Sequence, residues 1–286
     1  MASLRFGIPL RFGIKVAQMG GSYAEMREAW LEADRLGFDT GWLHDHLLNQ
    51  NDVTRPEDEG WTVLTALLVQ SRRIRGGLMV TANTFRHPGV LAKIATTADV
   101  VSGGRVEVGL GAGWFEEEHR QYGLALPPLG ERMKRLEETC RILEALWTEP
   151  RATFEGAYYQ LREAIHEPKP VQRPHPPLTI GTSGERVGLR IAARHAQTWN
   201  MARATPEEFQ KKSLLLDEYC REIGRDPGEI ERSIQFLPDA MEGNVTALAR
   251  DFIAVGATHL IFSCPTPYAA AGARHIWADV VAPLRA

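Results

Sequence analysis

A chain of 286 residues with 44% hydrophobic and 24% charged residues can bury a sizeable core and matches the roughly 250 residues typical of one α/β barrel. Its 33 basic residues are scattered and the formal net charge is -3, so no electrostatic footprint for nucleic acid is present. No window approaches the roughly 18 uninterrupted apolar residues of a membrane span. The opening MASLRFGIPLRFGI lacks the basic start and long apolar stretch of a secretory signal, and Cys140, Cys220 and Cys264 are too dispersed for a disulfide framework, which together predict a cytoplasmic protein.

In chain order, the strand candidates are RFGIKVA (11–17), TGWLH (40–44), RGGLMVT (75–81) and RVEVGLG (105–111), followed by PLTIGT (177–182), TWNM (198–201), RSIQFLP (232–238) and THLIFSC (258–264). Segments of helical period separate them. Eight such units close most naturally as a (β/α)8 TIM barrel, an α/β fold, with residues 1–286 as one domain; an open doubly wound sheet usually uses fewer strands. Residues 23–36 put Met26, Trp30, Ala33 and Leu36 on one stripe with Gly37 as the C-terminal cap, and residues 130–147 repeat apolar positions at Met133, Leu136, Ile142, Leu143 and Leu146 before Pro150. Both read as outer helices. Residues 151–176 depart from the repeat: ATFEGAYYQL predicts a hairpin and EPKPVQRPHPP is too proline-rich for regular structure, so an insertion precedes strand five. Of the tandem LRFGIPLRFGI, the distance to the helix near Tyr23 selects the second copy as strand one and leaves the first as an N-terminal extension.

Active sites of such barrels lie at the C-terminal ends of the strands, where GWLHDHLL places His44, Asp45 and His46. A metal pair, a proton-transfer or cofactor site, and ordinary packing compete there. The metal reading needs further ligands, and the other strand ends offer Gly111, Gly181 and Asn200 instead. In TIGTSGERVGLRIAARHA (179–196), Gly181, Thr182, Ser183 and Gly184 precede a helix whose first turn holds Glu185 and Arg186; free backbone N–H groups and hydroxyls there suit a phosphate, and a capped helix after a tight turn is the plain alternative. Gly109, Gly111 and Gly113 do not keep the spacing of a dinucleotide fingerprint. Either a flat ligand approaches bare backbone there, or the strand narrows at its end.

Three stretches, GWLHDHLL (41–48), GGLMVTANTFRHPGVLAKIATTADVVSGGRVEVGLGAGWFEEEH (76–119) and PPLTIGTSGERVGLRIAARHAQTWN (176–200), together resemble the bacterial luciferase-like flavin or deazaflavin oxidoreductases over nearly the whole chain. The Arg-His-Pro turn at 86–88, SGGR at 102–105 and GAGW at 111–114 occur in family order, and GAGWFEEEH is most similar to the branch dependent on coenzyme F420. The resemblance implies a barrel holding a deazaflavin, with reduced FMN as the alternative cofactor, and hydride transfer to or from a small organic substrate. An FMN-dependent monooxygenase and a non-catalytic flavin-binding protein are the alternative functions.

The resemblance further implies a nonprolyl cis peptide between Leu78 and Met79 against the ring, a wall of Gly111, Ala112, Gly113 and Trp114, and phosphate on Gly181, Thr182, Ser183, Gly184, Glu185 and Arg186 with Arg190 nearby. Thr81 and Asn83 would donate to the ring's polar edge. His46 is the implied proton donor or acceptor, Asp45 orients it or a cofactor edge, and His44 points to the other side of the strand. Substrate would enter near His46 and the insertion's Tyr158 and Tyr159, and a homodimer is an option that relatives suggest. The sequence also departs from the family: Gln197 and Thr198 replace an Asp-Gly, Ala112 replaces an arginine of some flavin monooxygenases, and Trp114 stands where some deazaflavin enzymes keep a catalytic acid, with Glu116, Glu117 and Glu118 displaced onto a helix.

Overall fold

The computed structural model describes residues 7–16, 18–265 and 270–285. Most of the first tandem copy and Ala17, at the end of the first strand candidate, lie outside the described residues. The strands are β1 (Arg11–Lys15), β2 (Thr40–Leu43), β3 (Arg75–Leu78), β4 (Thr81–Ala82), β5 (Val106–Gly111), β6 (Ala152–Glu155), β7 (Gln160–Ala164), β8 (Leu178–Gly181), β9 (Thr198–Ala202), β10 (Glu231–Phe236) and β11 (His259–Ser263). All pairings except that of β6 with β7 are parallel. The order β3-β2-β1-β11-β10-β9-β8-β5, with β3 also paired to β5, closes a barrel of eight parallel positions, β4 continuing the line of β3.

Helices α1 (Tyr23–Leu36), α2 (Gly60–Gln70), α3 (Pro88–Ser102), α4 (Glu116–Tyr122), α5 (Leu129–Thr148), α6 (Gly188–His195), α7 (Pro206–Glu222), α8 (Val245–Ala254) and α9 (Ala270–Ile276) follow the strands. Their ends obey local chemistry: Ser22 and Glu25 form a reciprocal cap at the start of α1, and Gly37 closes it in the left-handed region at φ 103°. The β6–β7 hairpin forms where the insertion is expected. It docks on α5, where the Glu138 carboxylate accepts from the backbone N–H groups of Ala157, Tyr158 and Tyr159, and Arg135 covers both tyrosine rings. Tyr158 and Tyr159 are therefore engaged on the barrel's outside and do not line the strand-end cavity described below. No described helix is long and apolar enough to cross a membrane.

Alternation along each strand sorts the barrel interior into layers. At the N-terminal floor, Arg11 pairs with Glu107 and Glu231, Arg75 with Glu107 and His259 with Glu231, while Thr40 bridges His259 and Trp42. Above them Trp42, Met79 and Ile261 form a small apolar plug. One residue from each strand line, Lys15, His44, Met79, Gly111, Gly181, Ala202, Gln235 and Ser263, lines one cavity at the C-terminal end, Met79 belonging to the plug as well. His44 thus shares the inward face of Thr40 and Trp42, a correction to its expected outward orientation.

The strand-end glycines have a packing cause. A Cβ on Gly109 would collide with the Leu78 carbonyl oxygen, and one on Gly111 or Gly181 with the side chain of Val80. Strand narrowing thus accounts for these three positions, while Gly113 makes a left-handed turn at φ 78°. The nonprolyl cis peptide is found one bond later than expected, between Met79 and Val80. Gly109→Ala should cost at least about 1–3 kcal/mol, because the obstacle is backbone rather than a side chain that can move. A melting experiment should show a drop of several degrees, with Gly130→Ala, where nothing lies within 4 Å, unchanged. Equal melting of the two variants would show that the β3–β5 contact relaxes freely.

Candidate active site

The strand-end cavity has a volume of about 940 Å³. A groove of about 930 Å³ runs outside the barrel between α2 and α3, lined by Trp61, Thr65, Val69 and Ile94, and contains none of the inward strand-end residues. The chemistry therefore belongs to the strand-end cavity.

His46 stands on its wall. The turn at Gly113 carries the chain through Trp114 and Phe115 into α4, whose first turn folds Glu118 back onto His46: both carboxylate oxygens lie 3.1 Å from Nδ1, and one also accepts from Leu47 N at 3.0 Å. Glu118 is buried, at 1% exposure. Trp114 and Phe115 meet the His46 ring edge to face at 5.8 and 6.0 Å. With Nδ1 engaged by an acceptor, Nε2 is the ring nitrogen left for proton exchange; no described residue bonds it.

Asp45 does not orient His46. Its carboxylate receives both guanidinium nitrogens of Arg86 at 2.6 and 2.8 Å and the Ala82 N–H at 2.9 Å, and Arg86 also reaches Glu59 at 2.5 Å. Burial pushes the Asp45 carboxyl up against the opposing pull of Arg86. Asp45 joins the loop after β2 to the Arg-His-Pro turn, and Glu118 takes the orienting role that the sequence suggested for Asp45. The three acids of α4 are visible in the sequence, but only the fold brings one of them home.

Lys15 was not among the sequence candidates. Its Nζ donates to Gln235 Oε1 at 2.9 Å and Met79 O at 3.4 Å, and burial pulls its ammonium down to about 8. The parity Arg11, Gly13, Lys15 on an inward strand face was the available signal.

Of the other expected residues, Met79, Gly111, Ala112, Gly113, Trp114 and Gly181 line the cavity, and so does Val80. Leu78 is fully buried beside Gly60 and does not reach it. Thr81 and Asn83 are buried outside the lining, with Thr81 Oγ1 and Asn83 Nδ2 unpartnered among the described residues. The loop at 182–187 starts its helix later than expected, at Gly188, so Glu185 and Arg186 sit in the preceding turn. Ser183, Gly184 and Arg186 are exposed there. Lys212 from α7 donates to Ser183 O at 2.6 Å, whereas Arg190 is paired with Glu222. Among the described residues, no group of three or more His, Cys, Asp or Glu is placed to hold a metal ion.

A closed parallel barrel with a strand-end cavity that combines an oriented imidazole and a buried lysine has the organisation of a barrel enzyme. Comparison with known proteins gives the family: residues 4–282 match the luciferase-like monooxygenases, and the chain belongs to that family and is an oxidoreductase. It is 33% identical over 241 residues to an F420-dependent glucose-6-phosphate dehydrogenase of Microbacterium testaceum, covering 81% of this chain and 70% of the relative. An FMNH(2)-dependent dimethylsulfone monooxygenase of Pseudomonas putida is 30% identical over 204 residues, covering 65% and 54%. Among solved structures, an F420-dependent secondary alcohol dehydrogenase in complex with an F420-acetone adduct superposes with a TM-score of 0.82 over 96% of this chain and 99% of that one, at 19% identity.

Proposed function

We propose that this protein is an F420-dependent oxidoreductase that transfers a hydride between the deazaflavin and a small organic substrate in the strand-end cavity. The observation that carries the reading is His46, fixed through Nδ1 by the buried Glu118 so that Nε2 serves the cavity in a chain similar to F420-dependent dehydrogenases. A bound deazaflavin supplies a carbon centre that accepts or gives a hydride. The residues present fit such a group: the volume lies within the ~300–1,000 Å³ of small-molecule sites, and the Met79–Val80 turn and Gly111–Trp114 offer mixed apolar and backbone walls. The exposed Ser183, Gly184 and Arg186 and the neighbouring Lys212 would take phosphate, and Arg55 and Arg203 at the cavity, the latter paired with Asp239, suit an anionic tail.

The chain's own work is then to exclude water, hold the substrate oxygen, and move one proton at His46 Nε2. Fluorescence titration with F420 and, separately, with FMN at matched ionic strength should show saturable binding favouring F420 and weakening with salt. Preference for FMN would transfer the reading to oxygen-dependent chemistry, and binding of neither would remove it.

A further inference from the structure

A second histidine lines this cavity, backed by a second acid whose side chain is buried, and the function above does not use them. His44 is 4% exposed and lines the cavity. Gln18 clamps its backbone, donating from Nε2 to His44 O at 2.9 Å and accepting from His44 N at 3.1 Å; the same Nε2 donates to Asp58 O at 3.2 Å, which ties the loop carrying Glu57 to this point. Glu57 Oε1 lies 2.5 Å from His44 Nε2.

The surroundings of Glu57 decide which partner holds the proton. Its side chain is 2% exposed, no lysine or arginine among the described residues pairs with it, and its second oxygen, Oε2, is buried without a partner. An ionised carboxylate with one oxygen buried and bare is far costlier than a neutral acid in the same place. The charged and titratable groups facing the pair act in the same sense. Burial, then Asp58 and Glu118, push the Glu57 acid up to about 8; burial, then His46 and Lys15, push the His44 imidazole well below its ordinary value.

We propose that Glu57 is a neutral carboxylic acid that donates to His44 Nε2 and so fixes His44 as the Nδ1–H tautomer, giving the cavity a hydrogen-bond donor beside the acceptor Nε2 of His46. The two rings meet edge to face, 5.0 Å between centroids, and neither His44 Nδ1 nor His46 Nε2 has a partner among the described residues. The carboxylates thus give opposite instructions: Glu118 accepts from Nδ1 of His46, while Glu57 donates to Nε2 of His44. A hydroxyl group that reached both rings would donate to His46 and accept from His44. The substrate class this selects is an alcohol, or the carbonyl compound related to it; that part rests on the function proposed above, whereas the tautomer does not. Glu57 is a positioning residue in this scheme.

The tautomer is read on the free protein from ring-nitrogen NMR of 15N-histidine-labelled wild type, Glu57→Gln and His44→Gln, the last identifying the His44 signals. At pH 7 the wild type should carry the His44 proton on Nδ1. As the pH rises through about 8 the acid ionises and becomes an acceptor, so the proton should move to Nε2. Glu57→Gln should hold one tautomer across the range, because an amide does not ionise. A proton on Nε2 or a cationic ring at pH 7, or the same switch in Glu57→Gln, overturns the assignment. With F420 and an alcohol, the alcohol KM of the wild type should rise severalfold more than that of Glu57→Gln as the pH passes about 8, the titration of Lys15 being common to both proteins; identical KM profiles also overturn it. Failure of F420 binding would defeat the function reading while the NMR result still decides the tautomer.

Discussion

Replacing His46 with alanine should lower F420-linked turnover by about 10²–10⁴-fold, the range that a positioned proton-transfer group contributes, and leave the Kd for F420 within a few-fold of wild type. The expectation follows from the geometry of one ring. Glu118 and the flanking Trp114 and Phe115 fix the imidazole plane, so the proton exchanged at Nε2 is met in a set direction. Glu118→Ala should be the milder lesion, because the base remains while its orientation is lost. A hydrogen bond to a charged group is worth about 1.5–3 kcal/mol, hence about tenfold to a hundredfold in rate. Stopped-flow turnover and equilibrium binding on the same preparations separate the two effects. Unchanged turnover in His46→Ala, with F420 still bound, would leave the residue a structural role and move proton transfer elsewhere on the wall, with Lys15 next in reach of the cavity.

The barrel was legible because each strand run is short, β-branched or apolar, and followed by a helix-period segment, a contrast local to every unit. Strand parity is legible too: counted from Arg11 and Thr40, it places Lys15 and His44 on the inward face. Pairings between distant residues were not. Asp45 meets Arg86 across 41 positions and His46 meets Glu118 across 72, and nothing in either local pattern states which acid reaches which base. The late start of α6 has a local cause: Val187, at its N-cap, makes no side-chain capping bond, so no residue marks the start. The insertion follows α5 and precedes β8, so it enters the barrel from the N-terminal side of the strands. Its hairpin runs back along the outside of α5, where Tyr158 and Tyr159 pack on Arg135 and Glu138 and Tyr159 meets His87, instead of the cavity.

Glu107→Gln should destabilise the protein by about 3 kcal/mol, the lower end of what breaking a buried ion pair costs. Glu107 is 1% exposed and serves Arg11 and Arg75 together, so the amide would leave two guanidinium groups without their shared charge. Partial exposure of the arginine side chains, 23% and 31%, lets water recover part of that loss and sets the estimate at the low end. The pH dependence has a definite sign. Burial alone would raise the Glu107 carboxyl, but Arg11 and Arg75 overcome it and hold the group at about 2, below the ordinary 4.5. A depressed carboxyl contributes stability that is fully present above the unfolded value and lost as the pH falls toward the folded one. Urea unfolding of wild type and Glu107→Gln should therefore differ most above pH 5 and converge between about pH 4.5 and 2. A constant gap across that window would mean that the variant acts through packing and not through charge. Convergence would show that ionised groups hold the floor and close the barrel at the end opposite the cavity that His44, His46 and Lys15 line.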